Sequence, residues 1–257
     1  MPHLTQIQAR YAKKGVHVIG LTSLDRYGND LGAVRRFVAA NPSKMGYAVA
    51  VDAADPRAYQ GVFRGKMAWS YMAAAEARGL PTIFIIDRAG KVAYIGLPDL
   101  AEDTLRQVVS GAFDLAEATA RYRKICDALP RFDGFSKNLA DKHFEAAFGE
   151  ASELVRGPFH GDPQRLWMIA DAIVSPDDPQ LSPGYGIGLS AVSRAAQLSR
   201  YGNAGILATL ARAYFVNQDF SDAVRVCGHA AQLAVDGQRD ALLKDLAKYK
   251  ASVKSAQ

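Results

Sequence analysis

The stretch Arg-Gly-Leu-Pro-Thr-Ile-Phe-Ile-Ile-Asp-Arg-Ala-Gly-Lys-Val-Ala-Tyr-Ile-Gly, residues 78–96, decides how the first half of this sequence is expected to fold. Residues 82–86 form a short, nearly continuous apolar run, which is typical of a strand buried on both faces. Residues 87–90 have the composition of a turn and residues 91–95 predict a second strand, so the whole indicates a β-hairpin. Pro81 stands directly before the buried strand and is a candidate for a cis peptide bond.

Helix and strand signals alternate on both sides of this hairpin. The first helix is indicated by an apolar stripe of Leu4, Ile7 and Tyr11. Val-rich runs indicate further strands, and Asn41-Pro42 ends a helix. The pattern predicts helices over residues 1–11, 31–40, 67–75 and 103–111 and strands over residues 16–21 and 47–52.

From Leu115 onward the strand signals stop and helix signals dominate. Helices are predicted over residues 136–155 and 164–174. Residues 130–136, 157–163 and 176–188 are rich in Pro, Gly, Asp and Ser, so they predict breaks or loops. The sequence therefore divides into an α/β domain, residues 1–113, and an α-helical domain, residues 114–257.

The last part of the sequence has the spacing of a helical repeat. Asn217-Gln218-Asp219 predicts the turn between two helices, and an upstream copy of three positions lies 34 residues earlier. The pattern favours a tetratricopeptide-like (TPR-like) helix pair, with generic antiparallel helices as the alternative. Its packing positions are Leu207, Leu210, Ala211, Tyr214, Ala223, Cys227 and Ala230.

Composition and charge argue against several classes of protein. The chain has 257 residues and a net charge of +5, but no run of Lys and Arg longer than a pair. A nucleic-acid surface is therefore not expected. No segment approaches 18 consecutive apolar residues, and the N-terminus lacks the pattern of a signal peptide, so no membrane span is expected.

Residues able to carry chemistry are few. Cys126 and Cys227 are far apart and neither lies in a Cys-X-X-Cys spacing, so no redox motif, zinc site or cofactor is predicted. Two packed free thiols are expected, with a disulfide as the alternative. The run 184–188 looks like a glycine loop but lacks a preceding strand, and it predicts a flexible link. The five histidines, which show no ligand spacing, are His3, His17, His143, His160 and His229.

The sequence Gly79-Leu80-Pro81-Thr82 is followed by a buried strand, Ile-Asp, a Gly-Lys turn and a second strand. This order resembles the TlpA-like thiol-disulfide oxidoreductases, or redoxins. The resemblance covers residues 1 to about 113. It implies a thioredoxin-like α/β fold followed by an all-α, TPR-like domain. It also implies that Leu80, Pro81 and Thr82 form the segment that contacts an extended substrate.

The same resemblance implies that residues 1–113 lack the first strand and the catalytic Cys-X-X-Cys motif of the family. Pro2 matches the proline in the helix that follows those cysteines. The strands over 16–21 and 82–86 would then lose their shared partner. We expect them to close on each other directly or imperfectly. The family is mostly exported, which implies an extracytoplasmic parent protein, or a cytoplasmic one if Met1 is the true start.

Three functions follow as hypotheses. The first is a thiol-disulfide oxidoreductase that is redox-inactive or N-terminally truncated as the chain stands. The second is a non-catalytic thioredoxin-like and TPR-like module that binds protein segments. A peroxiredoxin relative, the third, also requires a reactive cysteine, which residues 1–113 do not contain.

Overall fold

The chain forms two compact units, Met1–Phe113 and Asp114–Gln257, in a computed structural model in which 69% of the described residues are helical. Each unit is described by itself below. The structure describes residues 2–22, 30–55, 65–75, 77, 80–175, 178–234 and 236–255.

Seven regular elements make up the described part of the first unit. Short helical turns at Ala12–Lys14 and Pro98–Leu100 and a π-helical segment at Ala68–Ala73 lie between them. The elements are α1 (Pro2–Tyr11), β1 (Ile19–Thr22), α2 (Leu31–Ala40), β2 (Ala48–Val51), β3 (Ile83–Ile86), β4 (Val92–Gly96) and α3 (Glu102–Ser110).

The predicted thioredoxin-like α/β fold is wrong. The described strands form two separate two-stranded sheets, a parallel pair of β1 with β2 and an antiparallel hairpin of β3 with β4. The expected closure of β1 onto β3 does not occur either. The physical reason is that no described segment pairs with both strands, so no backbone ladder joins the two sheets.

The hairpin itself is confirmed. Asp87 closes its turn, because its Oδ1 accepts hydrogen bonds from the N–H groups of Ala89 (2.9 Å) and Lys91 (2.8 Å). Gly90 has a φ of 74°, in the left-handed region that glycine adopts without steric cost. The Leu80–Pro81 peptide bond is cis, as the sequence predicts. Arg78 and Gly79 lie outside the described residues.

Side chains join the hairpin to the helices of the first unit. The centre of this core consists of buried side chains from α1, β3 and the start of α3. Partly buried side chains from the segment before β1 and from β4 pack around it. The central members are Ile7, Tyr11, Ile85, Ala101 and Leu105.

The helix predicted over 67–75 is present as the π-helical segment Ala68–Ala73. Asp52 fixes its start, since this buried carboxylate accepts hydrogen bonds from the N–H groups of Met67 (3.0 Å) and Ala68 (2.9 Å). The ring of Tyr71 meets the ring of Phe84 edge to face at 5.2 Å, which packs the segment against β3.

Seven α-helices and one short 3₁₀ helix, Pro179–Gly184, form the described part of the second unit. Four of the α-helices begin at an Asp or Asn whose side chain accepts a hydrogen bond from the first turn, namely Asp114, Asp162, Asn203 and Asp219. The helices are α4 (Leu115–Ala140), α5 (Phe144–Arg156), α6 (Pro163–Ile173), α7 (Tyr185–Leu198), α8 (Ala204–Val216), α9 (Phe220–Leu233) and α10 (Asp236–Ser255).

These helices stack in chain order. From α6 to α10 each helix packs against the next, and α6 also contacts α8. The predicted turn at Asn217–Asp219 is confirmed between α8 and α9. Most of the predicted packing positions are buried, including Leu207, Leu210, Ala223 and Cys227.

The predicted break at residues 130–136 is wrong. This stretch lies inside α4, which continues through Pro130. Phe135 is 1% exposed, and the ring of Phe132 contacts the ring of Phe159 at 5.7 Å between centroids. Gly134 lets Glu150 of α5 come close, since a Cβ there would lie 2.9 Å from the Glu150 carboxylate. Packing therefore overrides the local helix-breaking tendency.

The loop predicted over 176–188 is also wrong for most of its length, although residues 176 and 177 lie outside the described part of the chain. The short helix Pro179–Gly184 leads into α7. Gly184 and Gly188 permit close packing, because a Cβ would come within 2.4 Å of Phe148 and 2.5 Å of Val174, respectively. The run 184–188 is thus a packing surface and not a flexible link.

Two glycines of α7 give a matched test of this packing. We expect Gly188→Ala to destabilise the protein by about 1–3 kcal/mol, because the new methyl group overlaps the stiff, fully buried Val174. Gly186→Ala meets no atom within 4 Å and should stabilise it by about 0.5–1 kcal/mol. Urea unfolding measures both. Equal effects of the two substitutions would contradict the packing role.

Candidate functional site

The parallel pair β1–β2 presents an apolar face to solvent, which we call the strand surface. Ile19 lies beside Ala48, and Leu21 lies beside Ala50. Because paired residues of neighbouring strands point to the same side, these four side chains share one face. All four are exposed, Ile19 by 64% and Leu21 by 42%. A parallel sheet usually has both faces covered, so this exposed face is unusual.

Helix α1 fixes the segment that enters β1. The side-chain oxygen of Gln8 accepts a hydrogen bond from the Val18 N–H (2.6 Å), and its Nε2 donates to the Val16 carbonyl (3.1 Å). One amide side chain thus satisfies a donor and an acceptor on the same stretch of backbone, as a neighbouring strand would. This pairing holds residues 16–18 extended before the strand begins.

The same helix fixes the segment that enters β2. The Thr5 hydroxyl donates to the Lys44 carbonyl (2.8 Å) and accepts from the Gly46 N–H (3.0 Å). Gly46 has to be small, since a Cβ there would lie 2.6 Å from the Thr5 methyl group. Helix α1 therefore sets the positions of both strands, and with them the geometry of the strand surface.

An open cavity of about 590 Å³ lies where the two strands begin. Ile19 and Ala48 belong to both the cavity and the strand surface, so the two are continuous. Polar side chains of Gln8, His17 and Tyr47 line the cavity as well. Burial raises the pKa of the Tyr47 phenol, which keeps its hydroxyl protonated as a donor. Gln8 is engaged with the backbone of residues 16–18, and the Tyr47 hydroxyl donates to the Met45 sulfur (3.5 Å), so the combined site is mainly an apolar strip with polar side chains at one end.

The segment predicted to bind substrate, Leu80-Pro81-Thr82, lies at the entry to β3. Leu80 is 63% exposed, Pro81 is exposed and Thr82 is half-buried. The structure does not bring this segment into one sheet with β1, because β3 pairs only with β4 among the described strands. It remains a second exposed apolar element of the same unit.

The two cysteines differ in accessibility. Cys126 is half-buried on α4, and Cys227 is fully buried on α9 and donates to the Leu242 carbonyl (3.3 Å). Burial, and secondarily the charge of Asp245, raises the pKa of the Cys227 thiol to about 11. At neutral pH that group is the protonated, unreactive form. Both thiols are free, as the sequence predicts.

Among the described residues, no three His, Cys, Asp or Glu side chains form a group able to hold a metal ion. None of the described helices combines the length and the apolar composition that a membrane crossing requires.

Comparisons with known proteins returned no match: no family model, no curated protein and no solved structure is significantly similar to this chain. The site consequently has to be interpreted from its own residues. Sequence reasoning missed the strand surface because it placed residues 16–21, which include most of β1, in a thioredoxin-like sheet. The alternation of Ala and Val in residues 48–51, with Ala at every second position, is the signal that distinguishes the two faces.

The buried thiol predicts a loss of stability in alkali. Above pH 9.0, the ordinary pKa of a cysteine, the unfolded chain releases the Cys227 proton, whereas the folded protein keeps it up to about pH 11. The raised pKa of the Cys227 thiol therefore lowers the free energy of unfolding as the pH rises above 9, by about 2–3 kcal/mol in all. Burial also raises the pKa of Tyr249, which acts in the same direction.

Urea unfolding of the native chain and of Cys227→Ala, at about pH 8 and about pH 10.5, measures this effect. The free energy of unfolding should fall less with pH in the variant. Parallel decreases in the two proteins would show that the thiol is not protected from ionisation.

Proposed function

We propose that this chain is a non-catalytic protein-binding module whose strand surface accepts an extended segment of another polypeptide. The observation that carries the proposal is the exposed apolar face of the β1–β2 pair, with Ile19 and Leu21 standing beside Ala48 and Ala50. A face of this kind is usually covered in parallel sheets, and contiguous exposed apolar side chains mark interaction sites.

The large and small side chains of the surface suit a polypeptide ligand. Ile19 and Leu21 project from β1, while Ala48 and Ala50 leave shallow space above β2. An apolar side chain of a partner can lie over the alanines and against the two larger residues. β1 also pairs with no second strand in the described part of the chain, so an extended segment could add to that edge.

The resemblance of residues 78–96 to TlpA-like redoxins is retained as a proposal about the Leu80–Thr82 segment. The exposure of Leu80 at the entry to the hairpin supports the proposal. By that resemblance, Leu80, Pro81 and Thr82 contact an extended substrate, which is again a protein segment. Binding of a protein segment thus accounts for both exposed elements of the first unit, the strand surface and the Leu80–Thr82 segment. Cys227, which is buried and protonated, argues against disulfide exchange by its thiol.

A permanently unfolded polypeptide, reduced and carboxymethylated α-lactalbumin, serves as the probe for the strand surface. We expect it to bind the full chain and to bind Leu21→Lys about tenfold or more weakly, because the substitution puts a charge into the apolar face. Fluorescence anisotropy of the labelled probe measures the affinity.

The matched control is Leu243→Lys on α10, since Leu243 is 49% exposed and Leu21 is 42% exposed, in different units. The control should bind as the native chain does. Circular dichroism verifies that both variants fold. If Leu21→Lys binds with native affinity, or if both substitutions weaken binding equally, the strand surface is not the binding site.

Redox catalysis provides a separate test. We expect the chain to reduce insulin disulfides with dithiothreitol no faster than a variant carrying Cys126→Ser and Cys227→Ser. Cys227 is protonated and inaccessible, and Cys126 has no second cysteine at Cys-X-X-Cys spacing to resolve a mixed disulfide. Turbidity of the precipitating insulin B chain measures the rate. Faster precipitation by the native chain would contradict the non-catalytic assignment.

A further inference from the structure

A cavity of about 340 Å³ lies in the helical unit between α7, α8 and α9. It belongs to a different unit from the strand surface, and the proposed function does not use it. Its volume is at the lower end of the range for small-molecule sites, about 300–1,000 Å³. The nature of its lining indicates which chemistry it accepts.

The floor of the cavity is apolar. It is formed by Leu207 and Leu210 of α8 and Val226 of α9, which are 1%, 3% and 5% exposed. These side chains belong to the packed core, so the floor is a fixed apolar surface. It favours an apolar group of the ligand over water.

Two polar pairs also line the cavity. Ser193 and Gln197 lie on α7, and Arg225 and His229 lie on α9. Within each pair the residues are four positions apart, which places them on one side of their helix. The α9 pair supplies ring and guanidinium nitrogen donors, which suit an oxygen anion.

None of the lining residues is acidic, although Asp222 of α9 pairs with Arg225 and offsets its charge. The nearby carboxylates are already bonded: Asp222 accepts from the Arg225 Nε at 2.8 Å, and Asp219 accepts from the Asp222 N–H at 3.3 Å and the Ser221 hydroxyl at 3.1 Å. Arg225 uses its Nε and one terminal nitrogen, Nη2, for Asp222. The other terminal nitrogen, Nη1, can donate to a ligand.

Two tyrosines complete the lining. Tyr201 has a φ of 56°, and Arg200 before it has a φ of 52°, a left-handed conformation that few non-glycine residues adopt. This backbone places the exposed Tyr201 at the cavity. Burial first, and then Asp222 and Asp219, raises the pKa of Tyr214 above its ordinary value of 10.0, and its hydroxyl is a hydrogen-bond donor at neutral pH.

We infer that this cavity binds a carboxylate that is attached to a small apolar group. The apolar group lies on Leu207, Leu210 and Val226. The carboxylate accepts hydrogen bonds from Arg225 and His229. Such a group occurs at the C-terminus of a polypeptide and in a free short-chain carboxylic acid, and the experiment separates these two sources.

Isothermal titration of the full chain compares three probes: N-acetyl-alanyl-alanyl-leucine, its C-terminal amide, and 4-methylpentanoate. We expect at least one carboxylate to bind saturably and the amide to bind about tenfold or more weakly than the peptide acid. Binding of the peptide acid alone identifies a polypeptide terminus as the ligand. Binding of 4-methylpentanoate with similar affinity identifies a free acid.

Arg225→Gln and His229→Gln should each weaken carboxylate binding about fivefold or more and leave amide binding unchanged. The matched control is Arg121→Gln, since Arg121 is also an exposed helical arginine beside an acidic partner, Glu117. It should bind as the native chain does. The inference is overturned if neither carboxylate binds up to about 5 mM, if acid and amide bind equally, or if neither cavity variant differs from the control.

Discussion

The contact of Ile7 and Tyr11 on α1 with Ile85 on β3 is what the first unit depends on, because no backbone ladder joins its two sheets within the described residues. Leu105 of α3 closes the cluster from the other side. Each fully buried apolar side chain contributes about 1.5–3 kcal/mol. A core of this size holds a hairpin and two helices in place, and α1 in turn positions the parallel pair through Gln8 and Thr5.

This arrangement explains why the unit has an exposed apolar face at all. The hairpin contributes Ile85 to the centre of the core, whereas β1 and β2 contribute no side chain to it and are positioned through the segments before them, by polar contacts to α1 and by the packing of Val16 and Val18. Their inner face is half-buried and their outer face is open. The surface proposed to bind protein is therefore a direct result of two sheets that do not merge.

Much of the local structure could be predicted from the sequence. The hairpin, the cis bond before it and the turn at Asn217–Asp219 all depend on residues close together in the chain. The failures depend on distant partners. Gly134 and Gly188 look like helix breakers in the sequence, yet each makes room for a side chain of another segment, Glu150 and Val174.

The candidate site was harder to predict for the same reason. The residue types of β1 predict a strand but not which of its faces is covered, since that depends on what packs against it. The role of Leu80-Pro81-Thr82 came from a resemblance, and the structure adds only that the segment is largely exposed. The cavity between α7, α8 and α9 assembles residues from positions 193 to 229, a set that no short motif reveals.

The chain-order stacking of the helices also bears on how the second unit opens. Helix α10 covers one side of the stack, where the ring of Tyr249 lies on that of Phe215 at 4.6 Å and the Leu242 carbonyl accepts from Cys227. Because stacked helices rely mainly on their neighbours, the outermost one can detach without unfolding the rest. Its transient departure would uncover the thiol of Cys227, which makes oxidative damage a marker of fraying in an otherwise folded protein.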